Sequence, residues 1–118
     1  MTTSLDERRE SIAGRVSGKI ALVTGGASGI GRATAILLAE QGARVAVADL
    51  SEADGQEVIR AIESKGGEAF FSRIDVTSEA SVQNTVAQII EKWRCLDVLV
   101  NNAGVAGIQK PIHEVTAK

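Results

Sequence analysis

The sequence predicts an α/β fold, a doubly wound parallel sheet of four strands and three helices, on three observations. Short apolar runs of strand length alternate with segments of helical period, and the connections between them are short. A glycine-rich turn, Thr24-Gly25-Gly26-Ala27-Ser28-Gly29-Ile30-Gly31, stands between the first apolar run and the first helical segment. Strands separated by helices pair in parallel through right-handed crossovers. The doubly wound pattern orders them 3-2-1-4, with a crevice beside the first strand where the winding reverses.

Residues 1–17 are polar, mixed in charge and without sustained period, so a loose arm is expected there and a folded unit over residues 18–118. Ile20-Ala21-Leu22-Val23 reads as the first, buried strand. A helix is expected over Arg32 to Glu40. Ile30, Ala33, Ile36, Leu37 and Leu38 make this segment apolar around much of its circumference, and Gly42 suits its C-terminal cap. The second strand, Arg44 to Asp49, is apolar at nearly every position, as a parallel strand covered on both faces should be. Ser51 with Asp54 three residues on resembles a capping box. The helix it opens places Val58, Ile59 and Ile62 on one side and ends at Lys65-Gly66-Gly67. The third strand is Ala69 to Ile74, reaching Asp75 and Val76 at its end. Thr77 or Ser78 can cap the third helix, whose apolar stripe is Val82, Val86, Ile89, Ile90 and Trp93, the tryptophan read as core. A fourth strand, Leu96 to Val100, runs into Asn101-Asn102-Ala103-Gly104, and the chain is irregular from there.

The chain has 118 residues, enough for one small domain, with 44% hydrophobic and 24% charged residues, which excludes disorder and a membrane span. A net charge of −2 with interspersed signs makes no field that would gather nucleic acid. Cys95 is the single cysteine, so no internal disulfide can form; it is expected to serve as a small hydrophobe at a strand edge rather than as a catalytic thiol. Asp6, Glu7 and Glu10 break any signal or transit peptide, and the expected compartment is the cytoplasm. No metal site is expected.

A tight glycine turn from strand to helix leaves backbone N–H groups aimed outward at the positive end of the helix dipole, a site for phosphate. Gly25 can take the sharp turn, Gly29 admits a pyrophosphate close to the backbone, and Gly31 lets the helix pack close on the strand. No Gly-Lys-Ser/Thr closes the run, so a P-loop is excluded. Asp49 follows at about the 20-residue offset where an acidic residue meets the adenosine ribose of a dinucleotide. Its carboxylate can accept from both ribose hydroxyls and repels the 2′-phosphate of NADP, and Leu50 beside it is not basic, so the expected cofactor is NAD. The lesser alternative is that Asp49 merely caps the next helix alongside Ser51, and the two roles can coexist.

The glycine spacing is G-x-x-x-G-x-G rather than G-x-G-x-x-G. As Thr-Gly-x-x-x-Gly-x-Gly, followed by Asp75-Val76 after the third strand and Asn101-Asn102-Ala103-Gly104 after the fourth, the chain resembles the classical short-chain dehydrogenases/reductases from about Gly18 to Ile112. The resemblance implies a Rossmann-type sheet, here truncated, and a cofactor site of Gly25, Ser28, Gly29, Ile30, Gly31, Asp49, Leu50, Asp75, Val76, Asn102, Ala103 and Gly104. In it Asp75 meets the adenine amino group, and the asparagine motif lines the ribose and nicotinamide end. One departure is local. The family commonly has a glycine where the third helix ends, and Trp93-Arg94-Cys95 has none, so a left-handed cap at Arg94 is expected to be strained.

The family moves a hydride between nicotinamide and an alcohol or carbonyl, using a Tyr, a Lys, a Ser and a later Asn that lie beyond these motifs. No tyrosine occurs in the chain, Lys110 and Lys118 do not form a Tyr-x-x-x-Lys pair, and His113 reads as a solvated loop residue, so no catalytic residue is assigned. The expectation is the NAD-binding portion of an oxidoreductase whose full-length form is a homo-oligomer acting on a small alcohol or ketone, the 118-residue chain being inactive alone. The fourth strand is then an exposed edge. A non-catalytic nucleotide-binding or interaction module, made as a truncated chain, is the alternative.

Overall fold

The computed structural model describes residues 16–102. The expected arm, apart from its last two residues, lies outside them, as do Ala103, Gly104, Lys110, His113 and Lys118.

Seven elements alternate. Strand β1 is Ile20–Thr24, helix α1 Gly29–Glu40, β2 Arg44–Asp49, α2 Glu52–Ser64, β3 Glu68–Arg73, α3 Glu79–Trp93 and β4 Val98–Asn101. All pairings are parallel and the order is β3-β2-β1-β4, the doubly wound arrangement. The two inner strands are nearly unbroken apolar runs because both faces are covered: Val45, Ala46, Val47 and Ala48 of β2 are all fully buried. Their side chains alternate between two cores. Val45 and Val47 join Val23 under Ala35 and Ala39 of α1 and Val58 and Ile62 of α2. Ala46 and Ala48 join Ile20, Leu22 and Leu99 under Ile89 and Trp93 of α3. Helices α1 and α2 thus cover one face and α3 the other, and the winding reverses beside β1.

Several boundaries differ from the sequence expectation, for physical reasons. Helix α1 begins at Gly29, three residues earlier than Arg32, because Gly29 and Gly31, which read as turn residues, form its first turn. Strand β3 begins at Glu68, whose carboxylate meets both Arg44 at 3.1 Å and the indole N–H of Trp93 at 3.2 Å. Leu96 and Asp97 precede β4 rather than belonging to it, and Asp97 instead accepts from the N–H of Ile20 at 2.9 Å. Ile90 leaves the buried stripe: it is 42% exposed, on the outer side of α3, while Ile89 beside it is fully buried. Cys95 is exposed and not an edge hydrophobe; its thiol donates to the Asp97 carboxylate at 3.7 Å. Partial desolvation, then that carboxylate, push the thiol up from its usual range.

The helix ends follow their signals. Ser51 Oγ accepts from the N–H of Asp54 at 3.3 Å, and Ser78, not Thr77, caps α3, accepting from Ser81 at 3.2 Å. Arg94 takes the left-handed cap with φ 77°, alone among the described non-glycine residues at positive φ.

Candidate functional site: a groove at the strand ends

The carboxyl ends of β1, β2, β3 and β4 open into a groove of about 580 Å³. Gly25, Ser28, Ile30 and Gly31 line it from the glycine turn, Asp49 and Leu50 from the end of β2, Asp75 and Val76 from beyond β3, and Asn102 from beyond β4. Every described candidate except Gly29 therefore reaches one lining. Ile74 and Thr77, which the sequence reading passed over, complete it.

The turn has glycines for three different reasons. Gly25 and Gly29 are left-handed, with φ 65° and 58°, and a Cβ on Gly29 would meet no atom within 4 Å. The space at Gly29 is open, as a ligand standing on the backbone requires. Gly31 differs from expectation: a Cβ there would run into the carbonyl of Gly25, so it lets the helix close on the turn rather than on the strand. Gly26, unassigned from the sequence, makes the approach to the sheet, where a Cβ would lie 3.0 Å from both the Val23 carbonyl and a Val47 methyl.

Helix α1 is left open at its N-terminus. Ser28 stands at the N-cap but its side chain makes no capping bond, and no acidic residue occupies the first turn, whereas α2 has Ser51 capping with Glu52 and Asp54, and α3 has Ser78 capping with Glu79. The first-turn N–H groups of a helix have no intrahelical acceptor, so α1 presents free donors and an uncompensated positive dipole end to the groove.

Opposite the turn stands Asp49. Its Oδ2 accepts from the N–H of Ala27 at 3.0 Å and its Oδ1 from the N–H of Leu50 at 2.7 Å. It does not cap α2; Ser51 does so alone. Asp75 sits in a tight turn, its Oδ1 accepting from the hydroxyl of Thr77 at 2.6 Å and from the Thr77 N–H at 3.0 Å. These bonds, the hydroxyl first, hold its carboxyl below the usual carboxylate range. The signal was present in the sequence as Asp-x-Thr ahead of a helix. Thr24 ties the fourth strand to the first: its hydroxyl donates to Asn101 Oδ1 at 2.9 Å and accepts from the N–H of Asn102 at 3.1 Å. Asn102 Nδ2 is buried and finds no acceptor among the described residues, a costly state for a donor unless a ligand supplies one.

A family model described as short chain dehydrogenase matches residues 19–118. The chain belongs to the short-chain dehydrogenase family. Among this family's curated members it is similar to a 3beta-hydroxysteroid dehydrogenase of Mediterraneibacter gnavus, 45% identical over 104 residues, covering 88% of this chain and 38% of that protein. It is also similar to an L-2,3-butanediol dehydrogenase of Corynebacterium glutamicum, 47% identical over 100 residues, covering 83% and 38% respectively. Among solved structures, a hydroxysteroid dehydrogenase from Escherichia coli superposes with a TM-score of 0.77 at 37% identity, over 88% of this chain and 46% of that one. The chain thus spans less than half the length of these relatives. No described helix is long and apolar enough to cross a membrane, and no group of three or more metal-ligating side chains occurs among the described residues.

Proposed function

We propose that this chain is the NAD-binding portion of a short-chain dehydrogenase that transfers a hydride between nicotinamide and a small alcohol or ketone. One observation carries the reading: the uncapped, acid-free N-terminus of α1 and the Asp49 carboxylate line a single groove. An anion acceptor beside a hydrogen-bond acceptor is the pairing that a pyrophosphate next to a ribose diol requires. The residues present fit such a group, since Gly29 opens onto free space and Asn102 Nδ2 is a buried donor with no described partner.

In this reading the N–H groups of Ser28, Gly29, Ile30 and Gly31 hold the pyrophosphate. Asp49 accepts from the adenosine ribose hydroxyls, and its charge rejects a 2′-phosphate. Ile30 and Leu50, 78% and 57% exposed at the groove, offer apolar cover for a flat ring, with Val76 and Asp75 on its far side. Asn102, with Ala103 and Gly104 after it, serves the nicotinamide end. The bound cofactor supplies the hydride donor or acceptor. The relatives include a dehydrogenase of a hydroxysteroid and one of a diol, which supports an alcohol or ketone substrate. A homo-oligomeric whole enzyme in the cytoplasm belongs to the same proposal.

Titration calorimetry of the 118-residue chain with NAD and with NADP tests it. NAD should bind about tenfold more tightly or better, and Asp49→Ala should narrow the gap. Tighter binding of NADP by the unmodified chain would overturn the assignment of Asp49.

A further inference from the structure

The Asp49 carboxylate holds two backbone donors of the protein itself. The bond within its own neighbourhood, from Leu50, is local. The bond from Ala27 is not: it reaches from the end of β2 into the middle of the glycine turn, beside a backbone bond of 3.3 Å from Gly26 to the Ala48 carbonyl. Ala27 is 6% exposed, so water cannot readily replace the carboxylate as acceptor.

Besides this bond, the turn is held by the Gly26 bond to Ala48 and by the close packing of Gly26 and Gly31, but by no other side-chain hydrogen bond to Ala27 among the described residues. Gly25 and Gly29 are both left-handed, a conformation glycine takes without steric cost, and Ser28 makes no side-chain bond to the helix it precedes. The side-chain tie to β2 thus helps fix where the first-turn N–H groups of α1 begin. A carboxylate oxygen has two lone pairs. Each Asp49 oxygen spends one on the protein, and the residue lines the groove, so a second acceptor site on each oxygen remains for a ligand.

We propose that Asp49 is a positioning residue for the phosphate turn as well as the ribose acceptor, so that one side chain sets both cofactor choice and the preorganisation of the pyrophosphate site. This rests on the dinucleotide reading above. It follows that variants at Asp49 differ according to whether they keep an acceptor toward Ala27. Asn can keep its amide oxygen there at the expense of the Leu50 bond; Ala and Leu cannot. All three remove the same charge, so differences among them do not report repulsion of an anion.

The test uses 2′,3′-dideoxyadenosine diphosphate, which keeps the pyrophosphate and lacks the ribose hydroxyls, beside ADP. Asp49→Ala should bind the dideoxy probe about fivefold more weakly than Asp49→Asn, the size of one ordinary hydrogen bond. In the ligand-free proteins, the Ala27 amide should exchange with solvent about fivefold or more faster in Asp49→Ala than in Asp49→Asn, with Val47 in β2 unchanged. Asp49→Leu, which fills the space without an acceptor, should repeat the exchange result if the alanine variant folds poorly. Equal affinities for the dideoxy probe, or equal Ala27 exchange among the folded variants, would overturn the positioning role. If the unmodified chain bound neither nucleotide, the dinucleotide reading itself would fail. If it bound ADP no better than the dideoxy probe, only the ribose contact would fail.

Discussion

At the scale of single residues, the glycines of the turn separate into those that leave open space and those that pack. Gly31→Ala would drive a methyl into the Gly25 carbonyl, which is backbone and cannot rotate aside, so destabilisation of about 2 kcal/mol or more is expected, a fall of roughly 10 °C in melting temperature. Gly29→Val meets open space and strains only its own positive φ, by about 1–2 kcal/mol. It should leave a folded chain that binds no dinucleotide, because the branched side chain would stand where the proposed site puts the pyrophosphate; unchanged NAD affinity by calorimetry would contradict this. Asp75 carries a pH signature. Its folded pKa lies below the unfolded value, so its contribution to stability is present above about pH 4 and is lost as pH falls through the lowered value. Thr77→Val removes the stronger of the two bonds and should raise the Asp75 titration toward the ordinary carboxylate range, read from its carboxyl carbon by NMR.

At the scale of elements, the strands were legible because a parallel strand buried on both faces is a nearly unbroken apolar run, as Arg44 to Asp49 is. Helix caps were legible where a serine preceded an acidic first turn. What was not legible depended on approach in three dimensions: the bond from Ala27 to Asp49, the side of α3 on which Ile90 falls, and the start of α1 within a glycine run that reads locally as a turn. Arg94 was the reverse case. Its left-handed cap followed from a missing glycine, and Arg94→Gly should stabilise the protein by about 0.5–1 kcal/mol, measured by chemical denaturation. Helix α3 is also pinned to β3 by a buried hydroxyl pair, Ser72 and Thr85, at 2.9 Å. Thr85→Val leaves Ser72 without that partner and should destabilise by about 1–3 kcal/mol, whereas the double variant with Ser72→Ala should recover part of the loss.

At the scale of the molecule, the strand order and the convergence of four strand ends on one groove were readable from alternation and spacing; the mutual ties among Thr24, Asn101 and Asn102 were not, because they join residues far apart in sequence. The chain contains no tyrosine, and the proton donor that assists hydride transfer is worth roughly a hundred- to ten-thousand-fold. The isolated 118-residue chain is therefore expected to transfer no hydride to or from a panel of alcohols and ketones, followed by NADH absorbance; turnover that vanishes in Gly29→Val would refute this. The pairing register carries a further consequence, for the route to the folded state. Ile20 faces Arg44 and Arg44 faces Glu68, each one helix away along the chain, whereas Ala21 faces Val98 across the whole α1-to-α3 span. Closing the longer loop costs more entropy, by about 1 kcal/mol, before its contacts form. The β1, β2 and β3 ribbon with its two helices should assemble first, and β4 should dock last. Pulsed hydrogen exchange during refolding would then protect Val47 before Leu99, and the groove would acquire Asn102 only in the final step.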